Sequence, residues 1–442
     1  MDIKEILLLH HSHMDVGYTH TQQIVWELQN EFLDLALKLL DDTKNFPEHA
    51  RPRWTVEVTA QIMHWLKTAS TENIDRFKKY IAEGRVGFSG MKYNTTPLAN
   101  AEGLSRQLYD VKFLNEKFNA NIKTVNQHDV NGIPWSAVDL MLDAGIELLI
   151  MAVNRHLGGT VAKRPSVFRW VGPSGREILV MNGAHYTMFD QVLYTWENNL
   201  ERMQEGLNEY YEYLKKRDYN LDFIYLTTAA APVCWDNSPP NIDVTKLVSQ
   251  WNEQVKQPLI RYITPNELLE RIKQNPMDKY PVYRGDWTDY WNFGCASTAF
   301  QTKLGQIAKS KMFKAEFLHS FNDKDKHHYK RVNKEAWDNI ELSDEHTWGS
   351  YNSMDPDNEY TRIQFCMKEK ATYDAHEYSE FLLVDELEDL TGNLENYDKQ
   401  DGVIVFNPTG KEKTEYVPIP DWWFEEGKRR RTSRFGWQNR VE

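Results

Sequence analysis

Glu5-Ile6-Leu7-Leu8-Leu9-His10-His11-Ser12-His13-Met14-Asp15-Val16-Gly17-Tyr18 stands near the start of the chain. Residues 5–9 make a short, mostly apolar run of the kind a buried strand needs. Three histidines and an aspartate follow almost without a break. In extended backbone, residues two apart point to the same side, so His11, His13 and Asp15 share a face where the strand ends. An imidazole nitrogen and a carboxylate oxygen on one face are ligands that suit zinc, with bonds near 2.0–2.2 Å. Folds built on parallel strands place their chemistry at the carboxyl ends of those strands. A strand that runs straight into a ligand set therefore predicts an α/β architecture with a metal site at its rim.

Two ligands do not hold a zinc ion; three or four are needed, and the others must come from elsewhere in the chain. Gln127-His128-Asp129-Val130-Asn131-Gly132 ends a second apolar strand, and Trp235-Asp236-Asn237 follows a third. Gly285-Asp286-Trp287-Thr288-Asp289-Tyr290-Trp291 and Asp344-Glu345-His346-Thr347-Trp348-Gly349 lie farther on. Taken singly, each also has the look of a helix cap, a salt bridge or a core histidine. Spacing alone does not choose among them.

The rest of the first half alternates strands and helices. Strand patterns fall at residues 54–58, 85–88, 124–127, 148–153 and 223–228, and helical spacing at 21–40, 61–81, 101–118 and 200–214. Gly172-Pro173-Ser174-Gly175 between two apolar runs predicts a hairpin, and Thr264-Pro265-Asn266-Glu267 is a capping box with proline at the first helical position. Strand–helix alternation argues for a parallel sheet or barrel. Residues 297–321, 325–340 and 357–388 lack strand signals and read as a bundle of three helices. Beyond Asn393, residues 403–406 and 415–419 read as strands around the turn Asn407-Pro408-Thr409-Gly410. The expected domains are residues 1–285, 286–395 and 396–442, the last being the start of an incomplete β domain. The basic run Lys428-Arg429-Arg430-Arg431 reads as a solvated surface turn.

Composition narrows the function. The 442 residues are 41% hydrophobic and 26% charged, an ordinary globular mix. Fifty-two basic residues against 65 acidic ones leave a net charge of −13, which repels phosphate backbones and excludes nucleic acid as a partner. No apolar run approaches the roughly 20 residues of a membrane helix. The opening apolar run is too short for a signal-peptide core, so a soluble chain without a visible signal is expected. The three cysteines, Cys234, Cys295 and Cys366, form no CxxC and support neither a disulfide framework nor a cysteine metal site. Aromatic residues reach 13%, a surplus that fills cores and also suits sugar binding.

His11-Ser12-His13-Met14-Asp15-Val16-Gly17-Tyr18 resembles the amino-terminal signature of the family 38 glycoside hydrolases, the zinc-dependent retaining α-mannosidases, which reads H-x-H-x-D-x-G and then an aromatic. Residues 83–90, then Glu102 and Arg106-Gln107-Leu108, resemble the family's segment before the nucleophile. Gln127-His128-Asp129-Val130-Asn131-Gly132 is similar to the nucleophile segment. The later order of helices and then a β domain, opening at Val405-Phe406-Asn407-Pro408, also fits, so the resemblance spans nearly the whole chain.

The resemblance implies a seven-stranded α/β barrel and one zinc ion (Zn2+) held by His13, Asp15, Asp129 and His346. Asp129 would also be the nucleophile and Asp236 the acid/base, with Trp235 and Pro232 giving Asp236 a less polar setting. Tyr18, Trp287, Trp291 and Trp348 would form walls against the sugar, and the substrate would be a glycan ending in α-mannose. The chain departs from the pattern at Val16, at Val130-Asn131 and at Glu345-His346-Thr347, where the family has proline, Pro-Phe and His-His-Asp. Two other readings stay open: a zinc hydrolase of another bond, such as a sugar deacetylase, and a carbohydrate-binding protein that has lost catalysis.

Overall fold

The computed structural model of the protein describes residues 3–154, 166–229, 236–288, 290–322, 326–348, 354–355, 357–391 and 405–417. Among the described residues the α/β part holds ten strands: β1 (Glu5–His10), β2 (Trp54–Val56), β3 (Val86–Phe88), β4 (Thr124–Asp129), β5 (Leu148–Val153), β6 (Val167–Val171), β7 (Glu177–Gly183), β8 (Phe223–Thr228), β9 (Leu259–Tyr262) and β10 (Val282–Arg284). β1 lies between β8 and β9, β2 pairs with β3, and the third sheet runs β10-β6-β7-β5-β4. Every ladder is parallel except the β6–β7 hairpin, which forms around the predicted turn. Where the resemblance implied one seven-stranded barrel, the described residues form an α/β part with three small sheets. β2, β3 and β10 are three residues each, too short to carry a continuous ladder. Isolated contacts still bring strand ends together: His11 bridges Thr55, and the Gly90 N–H donates to the Thr124 carbonyl at 2.9 Å. The carboxyl ends of β1, β2 and β4 meet around Glu57, whose Oε2 touches His11 Nδ1 and lies 3.2 Å from His128 Nδ1.

Apolar residues explain the packing. β4 and β8 are buried along their whole length, and β1 from Ile6 onward. The helix Gln22–Asp42 covers the strands with Val25, Phe32, Leu33, Leu37 and Leu40. Each such side chain contributes about 1.5–3 kcal/mol on burial. Two predicted helices are each broken in two. The run 61–81 becomes Thr59–Trp65 and Thr71–Ala82, because the Ser70 side chain accepts from the Asn73 N–H and starts a new helix. The run 101–118 becomes Ala101–Arg106 and Tyr109–Phe118, because the Gln107 carbonyl accepts instead from the Lys92 N–H at 2.8 Å.

The predicted bundle forms from Ala299–His319, Tyr329–Asp344 and Glu359–Thr391 around Ala308, Met312, Trp337, Ile340, Ala375 and Leu382. It is tied to the α/β part through Lys92, which pairs with Asp338 at 2.7 Å and also with Glu341. Arg106 reaches Glu316 at 2.8 Å, and the Thr96 N–H donates to the Asp344 carbonyl at 2.7 Å. No described helix is long and apolar enough to cross a membrane. Residues 405–417 contain no strand, which corrects the expectation at 405–406 and 415–417: Val405 and Tyr416 are exposed, and no described strand pairs with them. The Asn407 turn does form, with Asn407 Oδ1 accepting from the Thr409 N–H at 3.1 Å. The basic run at Lys428 lies outside the described residues.

Candidate metal centre and active site

β1 ends at His10, and the chain beyond it carries His13 and Asp15 into the space where β4 delivers Asp129. His346 arrives from the bundle. Its own N–H donates to the Asn94 carbonyl at 2.9 Å, and its carbonyl accepts from Trp291 Nε1 at 3.1 Å. One ligand atom from each of His13, Asp15, Asp129 and His346 lies within 4.8 Å of the others. His346 Nε2 is 3.1 Å from Asp15 Oδ1 and 3.5 Å from Asp129 Oδ2, and His13 Nε2 is 3.6 Å from Asp15 Oδ1. Tetrahedral zinc with bonds of about 2.0–2.2 Å separates its ligand atoms by roughly 3.3–3.6 Å.

The chemistry of the set fits a cation. His13 Nε2 and His346 Nε2 are buried and have no hydrogen-bond partner. Leaving such atoms unsatisfied is expensive, and a metal ion takes both lone pairs. Burial disfavours charge on either ring, yet Glu57 and Asp15 hold His13, and Glu345, Asp129 and Asp15 hold His346, well above the ordinary histidine range. The pocket stabilises positive charge.

Backbone and hydrogen bonds aim the carboxylates. Asp129 has φ of 67°, a left-handed conformation that costs a residue with a side chain of order 1 kcal/mol and turns the chain sharply after β4. Asn154 Nδ2 donates to Asp129 Oδ1 at 2.6 Å, leaving Oδ2 toward His346. Burial raises the Asp129 carboxyl, but His346 and His13 outweigh it and hold it below the usual range. Thr347 Oγ1 donates to Asp15 Oδ1 at 3.3 Å, and Asn237 Oδ1 accepts from the Asp15 N–H at 3.1 Å. The Asp236 carboxyl is pushed up to about 6, by burial first and then by the Asp15 charge. Tyr186 donates to Asp236 Oδ1 at 2.8 Å, and its ring stacks on His13 at 4.0 Å between centroids. Trp235 and Pro232, expected to surround Asp236, lie outside the described residues.

The aromatic residues divide. Tyr18 is 41% exposed, and its hydroxyl is pushed up to about 12 by burial and by Asp15, Asp236 and Asp129, which places it at the rim. Trp287 is corrected: it is 1% exposed and packs against Phe168 and Trp170 in the core, so it is no wall of an open cleft. Trp291 backs His346, and Trp348 Nε1 donates to the Trp291 carbonyl at 2.9 Å.

Sequence reasoning missed Glu57, Tyr186, Asn154 and Glu345. Glu57 Oε1 lies 2.8 Å from His13 Nδ1, and Glu345 Oε1 lies 2.8 Å from His346 Nδ1, off the ideal hydrogen-bond line. Glu345 is itself held by Lys368 at 2.6 Å. The signal for Glu57 was its place just after β2, the same position relative to a strand that His11 occupies after β1.

The fold has relatives among solved structures. An α-mannosidase from Enterococcus faecalis V583 superposes with a TM-score of 0.65 at 14% identity, covering 88% of this chain and 43% of its own. A family 38 glycosyl hydrolase protein from Enterococcus faecalis gives 0.58 at 14% identity, with 88% and 40% covered. A GH57 branching enzyme from Thermococcus kodakaraensis gives 0.51 at 12% identity, with 87% and 89% covered. The chain thus spans less than half the length of the two Enterococcus proteins. No curated protein sequence matches it. The sequence model described as the Glycosyl hydrolases family 38 N-terminal domain matches residues 4–286, the stretch that supplies His13, Asp15, Asp129 and Asp236. The chain belongs to glycosyl hydrolase family 38.

Proposed function

We propose that the protein is a zinc-dependent retaining glycosidase that removes terminal α-mannosyl residues from glycans. The observation that carries this reading is the convergence of ligand atoms of His13, Asp15, Asp129 and His346 within 4.8 Å of one another, beside a second carboxyl group, that of Asp236, which burial and the Asp15 charge push up to about 6. His13, Asp15, Asp129 and His346 would hold the ion. A zinc ion there would supply electrostatic stabilisation of an oxocarbenium-like transition state and help to orient the sugar.

Asp129, ionised, attacks the anomeric carbon while the bond to the leaving oxygen breaks. Asp236 gives its proton to that oxygen. In the second half-reaction the Asp236 carboxylate takes a proton from water, the water oxygen bonds to the anomeric carbon, and Asp129 is released. Asn154 keeps Asp129 aimed, and Tyr186 keeps Asp236 in place. Tyr18 lines the rim for the apolar face of the sugar, and Trp291 and Trp348 brace its floor. In the same reading the catalytic unit is residues 1–285, the bundle 286–395, and a β domain opens from 396.

A 2-deoxy-2-fluoro-mannosyl fluoride followed by peptide mass analysis tests the mechanism. An adduct on Asp129 is expected. Turnover of an aryl α-mannoside without any trappable adduct would refute a retaining mechanism on Asp129.

A further inference from the structure

Glu57 is fully buried beside the strand end that carries His11 and His13. Its two oxygens have different tasks. Oε1 accepts from His13 Nδ1 at 2.8 Å and from Asn94 Nδ2 at 2.6 Å. Oε2 touches His11 Nδ1 and lies 3.2 Å from His128 Nδ1. His11, Glu57 and His128 have the side chains of a second metal site. The side-chain hydrogen bonds of Glu57 run through Oε1, toward His13 and Asn94, so its orienting task is read there rather than at Oε2. A carboxylate out of water is costly unless it is paired, and here the His13 ring and the Asn94 amide hydrogen-bond to it.

Asn94 extends the arrangement. Its side-chain oxygen accepts from the His128 N–H at 2.8 Å and its carbonyl from the His346 N–H at 2.9 Å. Glu57 is thereby fixed to β4 and to the segment that brings in His346. A histidine presents one ring nitrogen to a metal only when the other carries the proton, and an acceptor on that other nitrogen sets both tautomer and ring orientation.

We infer that Glu57 is the positioning residue of the metal centre, taking the Nδ1 proton of His13 as a hydrogen bond so that Nε2 faces Asp15 and the ion. This rests on the metal centre proposed above. Glu57 touches no substrate and acts through His13.

The test measures metal affinity directly. Glu57→Gln keeps the size but removes the charge and sets an amide N–H among imidazole N–H groups. The dissociation constants of the metal-free wild-type and E57Q chains for zinc, and for cobalt(II) followed by its visible absorption, should differ by about 10–100-fold. Histidine 15N spectra of the zinc-loaded wild type provide a second reading that needs no variant. They should show His13 with its proton on Nδ1 and the metal on Nε2. Metal on Nδ1 of His13, or folded E57Q binding zinc within twofold of wild type, would overturn the role of Glu57 alone. A wild-type chain that takes up no zinc would overturn the metal centre and this inference together.

Discussion

At the scale of the residue, Asp129 carries the heaviest demand, since the proposed function asks it both to hold an ion and to attack the sugar. Asp129→Asn keeps the size and the Asn154 contact but removes the negative charge. Turnover of an aryl α-mannoside should fall by at least about 10^3-fold while far-UV circular dichroism shows the wild-type fold. Asp236 makes a prediction in pH. Burial and the Asp15 charge raise its carboxyl to about 6, and a general acid works only while protonated. kcat/KM should hold below about pH 6 and fall above it as the proton is lost. The Tyr186 hydroxyl stabilises the charged carboxylate, so Tyr186→Phe should move that falling limb to higher pH. A limb that stays in place in Y186F would separate Asp236 from the profile.

What the sequence disclosed at this scale follows from physical pattern. His13, Asp15 and Asp129 were legible because they directly follow or end apolar strands, where period two decides which residues converge. Glu57 was not, because one carboxylate after an apolar strand has the same appearance whether it meets water or three imidazoles. Trp287 was misplaced because an aromatic beside acidic residues gives no sign of whether it faces a cleft or, as here, Phe168 and Trp170. Glu345 stands where the family pattern has histidine, and the structure puts its carboxylate against the ring of its neighbour His346.

At the scale of the element, most strands of the first half were legible, but β9, β10, the helix Ile242–Gln254 and helix continuity were not. Hydrophobic period survives a break when both halves face the same core, so residues 61–81 and 101–118 each looked like one helix. The breaks come from hydrogen bonds that periodicity does not encode: Ser70 capping a new start, and Gln107 giving its carbonyl to Lys92. Lys92 then joins the elements, since its ammonium is nearly buried between Asp338 and Glu341. Lys92→Ala leaves those carboxylates close together without a cation. It should lower unfolding free energy by about 3 kcal/mol, read by urea denaturation. An unchanged midpoint would show that the bundle is held by its other contacts.

At the scale of the whole molecule, the site joins two architectures. Three of its proposed ligands come from the α/β part and the fourth from beyond the second bundle helix. Removing zinc with a chelator should abolish turnover and lower the melting temperature by several degrees, because an ion at a hundred times its dissociation constant adds about 2.7 kcal/mol to the folded state. Re-addition should restore both.

His346 sits 217 positions after Asp129 and is anchored through Asn94 and Trp291. In a nascent chain, the amino-terminal cluster emerges from the ribosome long before its last partner exists. If zinc binds as proposed, its tight uptake would wait on docking of the helices, and the metal would act as a latch that closes only over a correctly assembled protein.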